Sequence, residues 1–228
     1  MTLLYNIGMT DGILLIDKPA GMTSFGVVAR VRRVLSEQAG KKVKVGHTGT
    51  LDPFATGLLI LCIGKETKNA MSYTKLDKVY EATVRLGQTS TTGDPEGEIT
   101  DVSDAQPGHD EVQKALETFV GEITQRPPIY SAIKIGGRRA YDLARAGKDV
   151  EVPERTVTIY SLELVDYTYP ELKIRAHVSS GTYIRTLAED IGKLLGAGAY
   201  CTQLRRTKVA EWDVADAQML GDFGITEG

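Results

Sequence analysis

Asp52 is the only acidic residue in the run at positions 45–59, VGHTGTLDPFATGLL, and its neighbours are of the types that stiffen a loop. Gly46 and Gly49 can supply the φ freedom of tight turns, Pro53 locks its own φ and drives Asp52 toward extended backbone, and Gly57 opens the apolar run 58–63. By itself Asp-Pro is a turn dipeptide. In so constrained a loop, however, a carboxylate is aimed at something, and it can serve there as a nucleophile or a base.

Other chemistries lack their parts. No GxxxxGK[ST] occurs, since Gly64-Lys65 and Gly147-Lys148 have neither the upstream glycine nor the following hydroxyl. His47, His109 and His177 are far apart, with no HExxH or H-x-E pattern, so zinc chemistry lacks ligands and no metal is expected. Ser179-Ser180-Gly181 is not a GxSxG elbow. Cys62 and Cys201 lie in apolar runs without a CxxC pair and read as inert core thiols of a reduced compartment.

With 228 residues and 42% hydrophobic content, the chain can bury a large core as one domain. Residues 1–12 lack a basic leader followed by a long apolar core, and the longest apolar run, 55–63, is too short to span a bilayer. A soluble, cytoplasmic monomer is the expectation. Net charge is −3, which alone argues against nucleic acid, but its distribution points the other way. Arg30, Arg32, Arg33, Lys41, Lys42 and Lys44 precede the Asp52 loop. Arg126, Lys134, Arg138, Arg139, Arg145 and Lys148 load a second segment, and Arg205, Arg206 and Lys208 form a third group. Acids gather between Asp94 and Glu122 and after Glu211. Such asymmetry suits a molecule with one phosphate-facing side.

The elements that would position these residues are mixed. Residues 12–17 read as a buried strand, and Thr23 or Ser24 can cap a helix placing Val27, Val28, Val31, Val34 and Leu35 on one face. Strands are expected at 43–46, 58–63 and 79–86, with a polar connection over 88–101. Helical periodicity marks 110–120, 138–146 and 183–195. Residues 156–165 and 172–178 form an antiparallel pair joined near Tyr169-Pro170. No regular βαβ repeat emerges, so an α+β architecture with a largely antiparallel sheet is favoured.

Several segments together resemble one known family. The run 47–59 fits the HTGTLDP and ATGLL signature of TruB-type tRNA pseudouridine synthases. Residues 12–24 are similar to that family's DKPxGxTS opening, 126–147 (RPPIYSAIKIGGRRAYDLARAG) to its RNA-clamping thumb, 179–192 (SSGTYIRTLAEDIG) to its third catalytic segment, and 200–208 to its final core strand. The resemblance spans roughly residues 12–215. It implies the pseudouridine synthase fold, a mixed sheet with a central catalytic cleft, in a single catalytic domain over 1–228 with a thumb-like insertion near 124–152.

The activity implied is conversion of uridine 55 in the T loop of tRNA to pseudouridine. That reaction moves the sugar from N1 to C5 of the same uracil, so it needs no cofactor. By the same resemblance Asp52 is the catalytic carboxylate, as nucleophile toward the sugar or as the base that starts elimination, and Arg185 keeps it ionised. Tyr183 accepts the C5 proton, directly or through water, and Leu204 packs in the pocket. The target base must be flipped out of its stack, with Tyr80 stacking on it and His47 filling the space vacated in the RNA loop. Lys134 and Asp94 match residues that contact the substrate. The plain alternatives are a strand tyrosine for Tyr80, a surface lysine for Lys134 and a turn aspartate for Asp94, while Asp17, Lys18 and Gly21 read as support for the loop. Bacterial members of the family continue past the position of Ala217 into a small RNA-binding domain, and the expectation here is a chain without it. The thumb-like run resembles the stand-alone bacterial type rather than the guide-RNA branch, so tRNA is the expected partner and no guide RNA is expected. The rival reading is an RNA-binding or RNA-folding protein in which isomerisation is secondary or absent.

Overall fold

The computed structural model of the protein describes residues 9–131, 134–135, 138–139 and 152–226, and the chain groups into two compact units, Met1–Leu76 with Arg205–Gly228, and Asp77–Leu204. The first contains β1 (Gly12–Lys18), α1 (Ser24–Ala39), β2 (Val45–His47), β3 (Thr56–Ile63), a 3-10 turn at Gly64–Asn69 and α2 (Ala70–Thr74). It also holds the end of β12 (Ala199–Val209) and β13 (Trp212–Asp213). Its core is β3, where every residue from Gly57 to Ile63 is buried. The apolar run is continuous because both faces of β3 are covered, and both of its edges are paired as well. β1 lies antiparallel along one edge, pairing Gly12 with Ile63 and Lys18 with Gly57. β2 pairs His47 with Leu61, and the end of β12 pairs Arg205 with Thr56 in parallel, along the other.

Helix α1 starts where Thr23 Oγ1 accepts the Gly26 N–H at 2.9 Å and stops at left-handed Gly40, φ 61. Ser24, Val27, Val28, Val31 and Leu35 are buried at i, i+3, i+4, i+7 and i+11, one face of the helix. Each of the aliphatic four contributes about 1.5–3 kcal/mol by burial, an upper bound. Val34, expected on that face, is half-buried.

The second unit holds β4 (Lys78–Leu86), β5 (Gln88–Ser90), β6 (Ile99–Asp101), α3 (His109–Glu117), β7 (Gly121–Gln125), β8 (Lys134–Ile135) and β9 (Arg138–Arg139). There follow β10 (Arg155–Thr168), β11 (Glu171–Val178), α4 (Ile184–Leu194) and the first residues of β12. Its sheet runs β12-β4-β11-β10-β7, and the β4/β11, β11/β10 and β10/β7 pairs are antiparallel. Tyr80, Ala82, Val84 and Leu86 of β4 and Leu172, Ile174, Ala176 and Val178 of β11 alternate inward, toward α3 and α4. Outward, Arg175 bridges Glu81 at 2.9 Å and Glu163 at 3.7 Å. Register shifts fall at Tyr160 and Val165, and both side chains are exposed there. The α+β expectation and the mainly antiparallel sheet are borne out.

Two elements differ from the sequence reading. The polar connection 88–101 closes as a hairpin, Gln88 opposite Asp101 and Ser90 opposite Ile99. Arg138 and Arg139, expected to begin a helix, form a strand against Ile135 and Lys134, while the remaining positions 140–146 lie outside the described residues. Gly136-Gly137 is a two-residue hairpin signal that the helical periodicity after it obscured. Among the described residues no helix is long and apolar enough to cross a membrane.

Candidate active site

In the first unit the backbone on both sides of Asp52 is clamped. Ser24 Oγ accepts the Leu51 N–H at 2.8 Å and donates to the Leu51 carbonyl at 2.9 Å. On the other side, the Pro53 carbonyl accepts from Gly21 N–H at 2.9 Å and from Lys18 Nζ at 3.2 Å. Lys18 is fully buried, and its ammonium also donates to the carbonyls of Pro19 at 2.7 Å and Met22 at 2.6 Å. A buried cation is costly unless its donors are satisfied, so Lys18 ties three carbonyls from two backbone segments, 19–22 and Pro53, to one point. Asp52 itself is half-buried, and its carbonyl accepts from Ala55 N–H at 3.2 Å.

Arg206 closes the loop from beneath. Only 2% exposed, it donates to the Leu58 carbonyl at 2.7 Å and to the Gly49 carbonyl at 3.1 Å. At Gly57, φ is +101 and a Cβ would overlap the Arg206 carbonyl oxygen, so only glycine fits. Gly46 proves to be an ordinary strand residue opposite Cys62, with open space around it, so it does not supply the turn expected of it. His47 is half-buried beside the loop, and its Nδ1 accepts from Gly49 N–H at 3.5 Å.

The third basic group is therefore divided, Arg206 being buried while Arg205 and Lys208 keep partly exposed, ion-paired side chains. Arg206 is structural, Arg205 grips Asp17 through bonds of 3.0 and 2.7 Å, and Lys208 pairs with Asp213 at 3.2 Å. Spacing in the sequence could not separate cations facing solvent from cations folded inward.

In the second unit Tyr183 and Arg185 enter α4 together. Arg185 is 4% exposed, and its guanidinium donates to Asp94 Oδ2 at 2.9 Å, to the Thr92 carbonyl at 2.8 Å and to the Tyr130 carbonyl at 2.8 Å. Asp94, which by resemblance contacts the substrate, is 3% exposed, its other oxygen accepting from Thr92 Oγ1 at 2.5 Å and Glu96 N–H at 3.0 Å. The tight turn hides its carboxylate against a buried arginine that lies far along the chain. Glu189, one turn beyond Arg185, has its carboxyl pushed up to about 7 by burial and by Asp190 and Asp94, against the opposing pull of Arg185.

Tyr183 is the N-cap of α4 and carries no side-chain cap of its own. Gln125 on β7 holds it: the amide oxygen accepts from Tyr183 N–H at 3.0 Å and the amide nitrogen donates to the Tyr183 carbonyl at 3.2 Å. The Arg155 guanidinium lies 5.7 Å from the centre of the Tyr183 ring. Neither Gln125 nor Arg155 emerged from sequence reasoning. The usable signal was a glutamine at the inward phase of an alternating strand, where an apolar side chain is usual.

Tyr80 and Leu204 are buried, each 8% exposed. Lys134 falls in β8, but its side chain lies outside the described residues. Burial and Glu66 push the Cys62 thiol up to about 11, which makes it a poor nucleophile. Among the described residues no group of three or more His, Cys, Asp or Glu could hold a metal ion.

The first unit thus mounts a carboxylate rigidly, and the second brings a tyrosine and an arginine to the start of one helix, side chains of the types used in acid–base chemistry. Comparison with known proteins agrees. The family model for the TruB family pseudouridylate synthase N-terminal domain matches residues 32–184, and that for the tRNA pseudouridylate synthase B C-terminal domain matches 185–223. The chain belongs to the TruB family of pseudouridylate synthases.

Among its relatives, the tRNA pseudouridine synthase B of Burkholderia mallei is 51% identical over 87% of this chain and 64% of its own length. That of Aromatoleum aromaticum is 47% identical over 93% of this chain and 67% of its own. The chain spans about two thirds of the length of these relatives. Among solved structures, a Cbf5-Nop10-Gar1 complex matches with a TM-score of 0.72 at 29% identity, over 93% of this chain and 53% of the other. An H/ACA RNP bound to a substrate RNA containing 2'-deoxyuridine matches with a TM-score of 0.69 at 26% identity, over 96% and 57%.

Proposed function

We propose that the protein is a tRNA pseudouridine synthase that isomerises uridine 55 in the T loop. One observation carries the mechanism: the backbone is fixed immediately before and after Asp52 while the residue itself is only half-buried. Such mounting suits a carboxylate that must meet a reacting atom within a fraction of an ångström. Asp52 either attacks the sugar carbon, expelling N1, and is itself displaced when C5 bonds to that carbon, or it removes a ribose proton to eliminate the uracil and returns that proton as C5 adds to the same carbon. In both cases the N1–sugar bond breaks, the uracil turns, the C5–sugar bond forms, and the C5 proton leaves as N1 gains one. Atoms and electrons balance within the nucleotide and water.

Arg185 is the cation that favours the ionised carboxylate, and Tyr183 accepts the C5 proton, directly or through water. Tyr80 stacks on the flipped uracil, offsetting part of the few kcal/mol of unstacking, while Leu204 lines the pocket and His47 fills the space left in the RNA loop. Lys134 meets the RNA from the thumb-like segment. Asp94, being buried, serves the reaction through Arg185. Identity of 51% to a protein named tRNA pseudouridine synthase B, against 29% to the chain from the Cbf5-Nop10-Gar1 complex, supports tRNA as the substrate, and the reading includes action without a guide RNA, in the cytoplasm.

The test is tritium release from tRNA labelled at uracil C5, with no other RNA added. Wild type should release label from position 55, and Asp52→Asn should release none while binding tRNA within about tenfold of wild type. Tight binding by wild type without release would leave only the RNA-binding reading.

A further inference from the structure

The side-chain amide of Gln125 is spent wholly on one residue. It is 1% exposed at the end of β7, and its oxygen and nitrogen answer the N–H and the carbonyl of Tyr183. A neutral amide can accept and donate at once in this way, which a carboxylate cannot. An unpaired buried amide is costly, so neither partner drifts without loss.

Arg155 is the register partner of Gln125 across the β7/β10 ladder, and it places its guanidinium over the Tyr183 ring. Gly181, at φ +85, makes room for it, since a Cβ there would come within 3.0 Å of Arg155 Nη1. Two residues facing each other on adjacent strands thus hold the backbone and the ring of the same tyrosine. The Tyr183 backbone is extended, φ −105 and ψ 111, at the entry to α4, where a small rotation would swing the ring through a wide arc.

We propose that Gln125 and Arg155 are positioning residues for Tyr183, the first fixing its backbone and the second its ring, so that the phenol reaches the uracil C5 proton. This rests on the reading above in which Tyr183 accepts that proton. A displacement of about 1 Å at such a group lowers a rate on the order of a hundredfold.

Single-turnover tritium release with saturating protein separates chemistry from binding. Gln125→Leu should slow release roughly 10–100-fold while affinity for a T-arm stem-loop stays within about threefold. Combined with Tyr183→Phe it should be no slower than Tyr183→Phe alone, because both act through one phenol. Arg155→Lys should retain more rate than Arg155→Met.

If Gln125→Leu fails to fold, Gln125→Glu carries the test. An ionised glutamate can accept from Tyr183 N–H but cannot donate to its carbonyl, whereas the protonated form does both. Its rate relative to wild type should therefore rise as pH falls from about 8 to about 6. A flat ratio, a wild-type rate in Gln125→Leu, or multiplying losses in the double variant would overturn the positioning role. A wild-type rate in Tyr183→Phe would instead remove the proton-acceptor reading, and the proposal with it.

Discussion

At the scale of single residues, the centre of gravity of the second unit is the buried ion pair of Arg185 and Asp94, both 4% exposed at the side chain. Its worth lies less in the attraction, which desolvation largely cancels, than in what happens when one partner is lost. Removing one member of a buried pair leaves an uncompensated charge and costs about 3–5 kcal/mol. Asp94→Asn should therefore lower stability by about 2–4 kcal/mol, since the amide keeps part of the hydrogen bonding. It should also slow turnover while leaving tRNA affinity nearly unchanged. Chemical denaturation and tritium release on the same preparation check both halves, and unchanged stability would mean the pair does not hold Arg185.

At the scale of elements, the Asp52 loop depends on the approach of β3 to the end of β12. Gly57→Ala puts a Cβ into the Arg206 backbone at a positive φ, and a loss of at least about 3 kcal/mol is expected. Gly46→Ala, a strand position with open space, should change stability by less than about 1 kcal/mol. Equal thermal shifts in the two variants would contradict this account of the loop.

Helix α4 gives a pH signature. Burial, then Asp190, raises the Glu189 carboxyl from 4.5 to about 7, Asp94 adds to the rise and Arg185 opposes it. A folded pKa above the unfolded one means the stabilisation is complete below about 4.5 and is lost as pH climbs through 7. Tm in wild type should carry a falling component across that window, and Glu189→Gln should flatten it. A Tm–pH curve identical in the two proteins would rule this out.

At the scale of the whole molecule, the proposed action on tRNA requires a chain of net charge −3 to bind RNA through local basic groups. Arg206 is buried, and Arg205 and Lys208 are engaged in partly exposed ion pairs with Asp17 and Asp213, so most of the salt-sensitive contacts should come from the segment around Arg138 and from the cations of positions 30–44. Affinity for tRNA should fall steeply with salt, and replacing Arg138 and Arg139 with alanine should reduce the log–log slope by about 1–2. Arg206→Met should instead destabilise the fold and leave the slope alone. Titrations at a series of salt concentrations distinguish these, and a shallower slope in Arg206→Met would return that residue to the RNA-facing surface.

Read without a structure, the chain already disclosed what short-range chemistry encodes. The stiff loop around Asp52 follows from Gly49, Pro53 and Gly57, α1 from Thr23 and its valine face, and the β10/β11 pair from alternation around Tyr169-Pro170. These depend on neighbours within a few positions, and so they are legible in order along the chain. Residues that meet across long separations were not legible. Arg185 finds Asp94 91 positions away, Gln125 finds Tyr183 58 positions away, and Arg206 reaches back 157 positions to Gly49. Composition makes each of them a plausible surface polar group, and only tertiary packing turns it inward, because a buried donor or charge must find its partner wherever the fold places one.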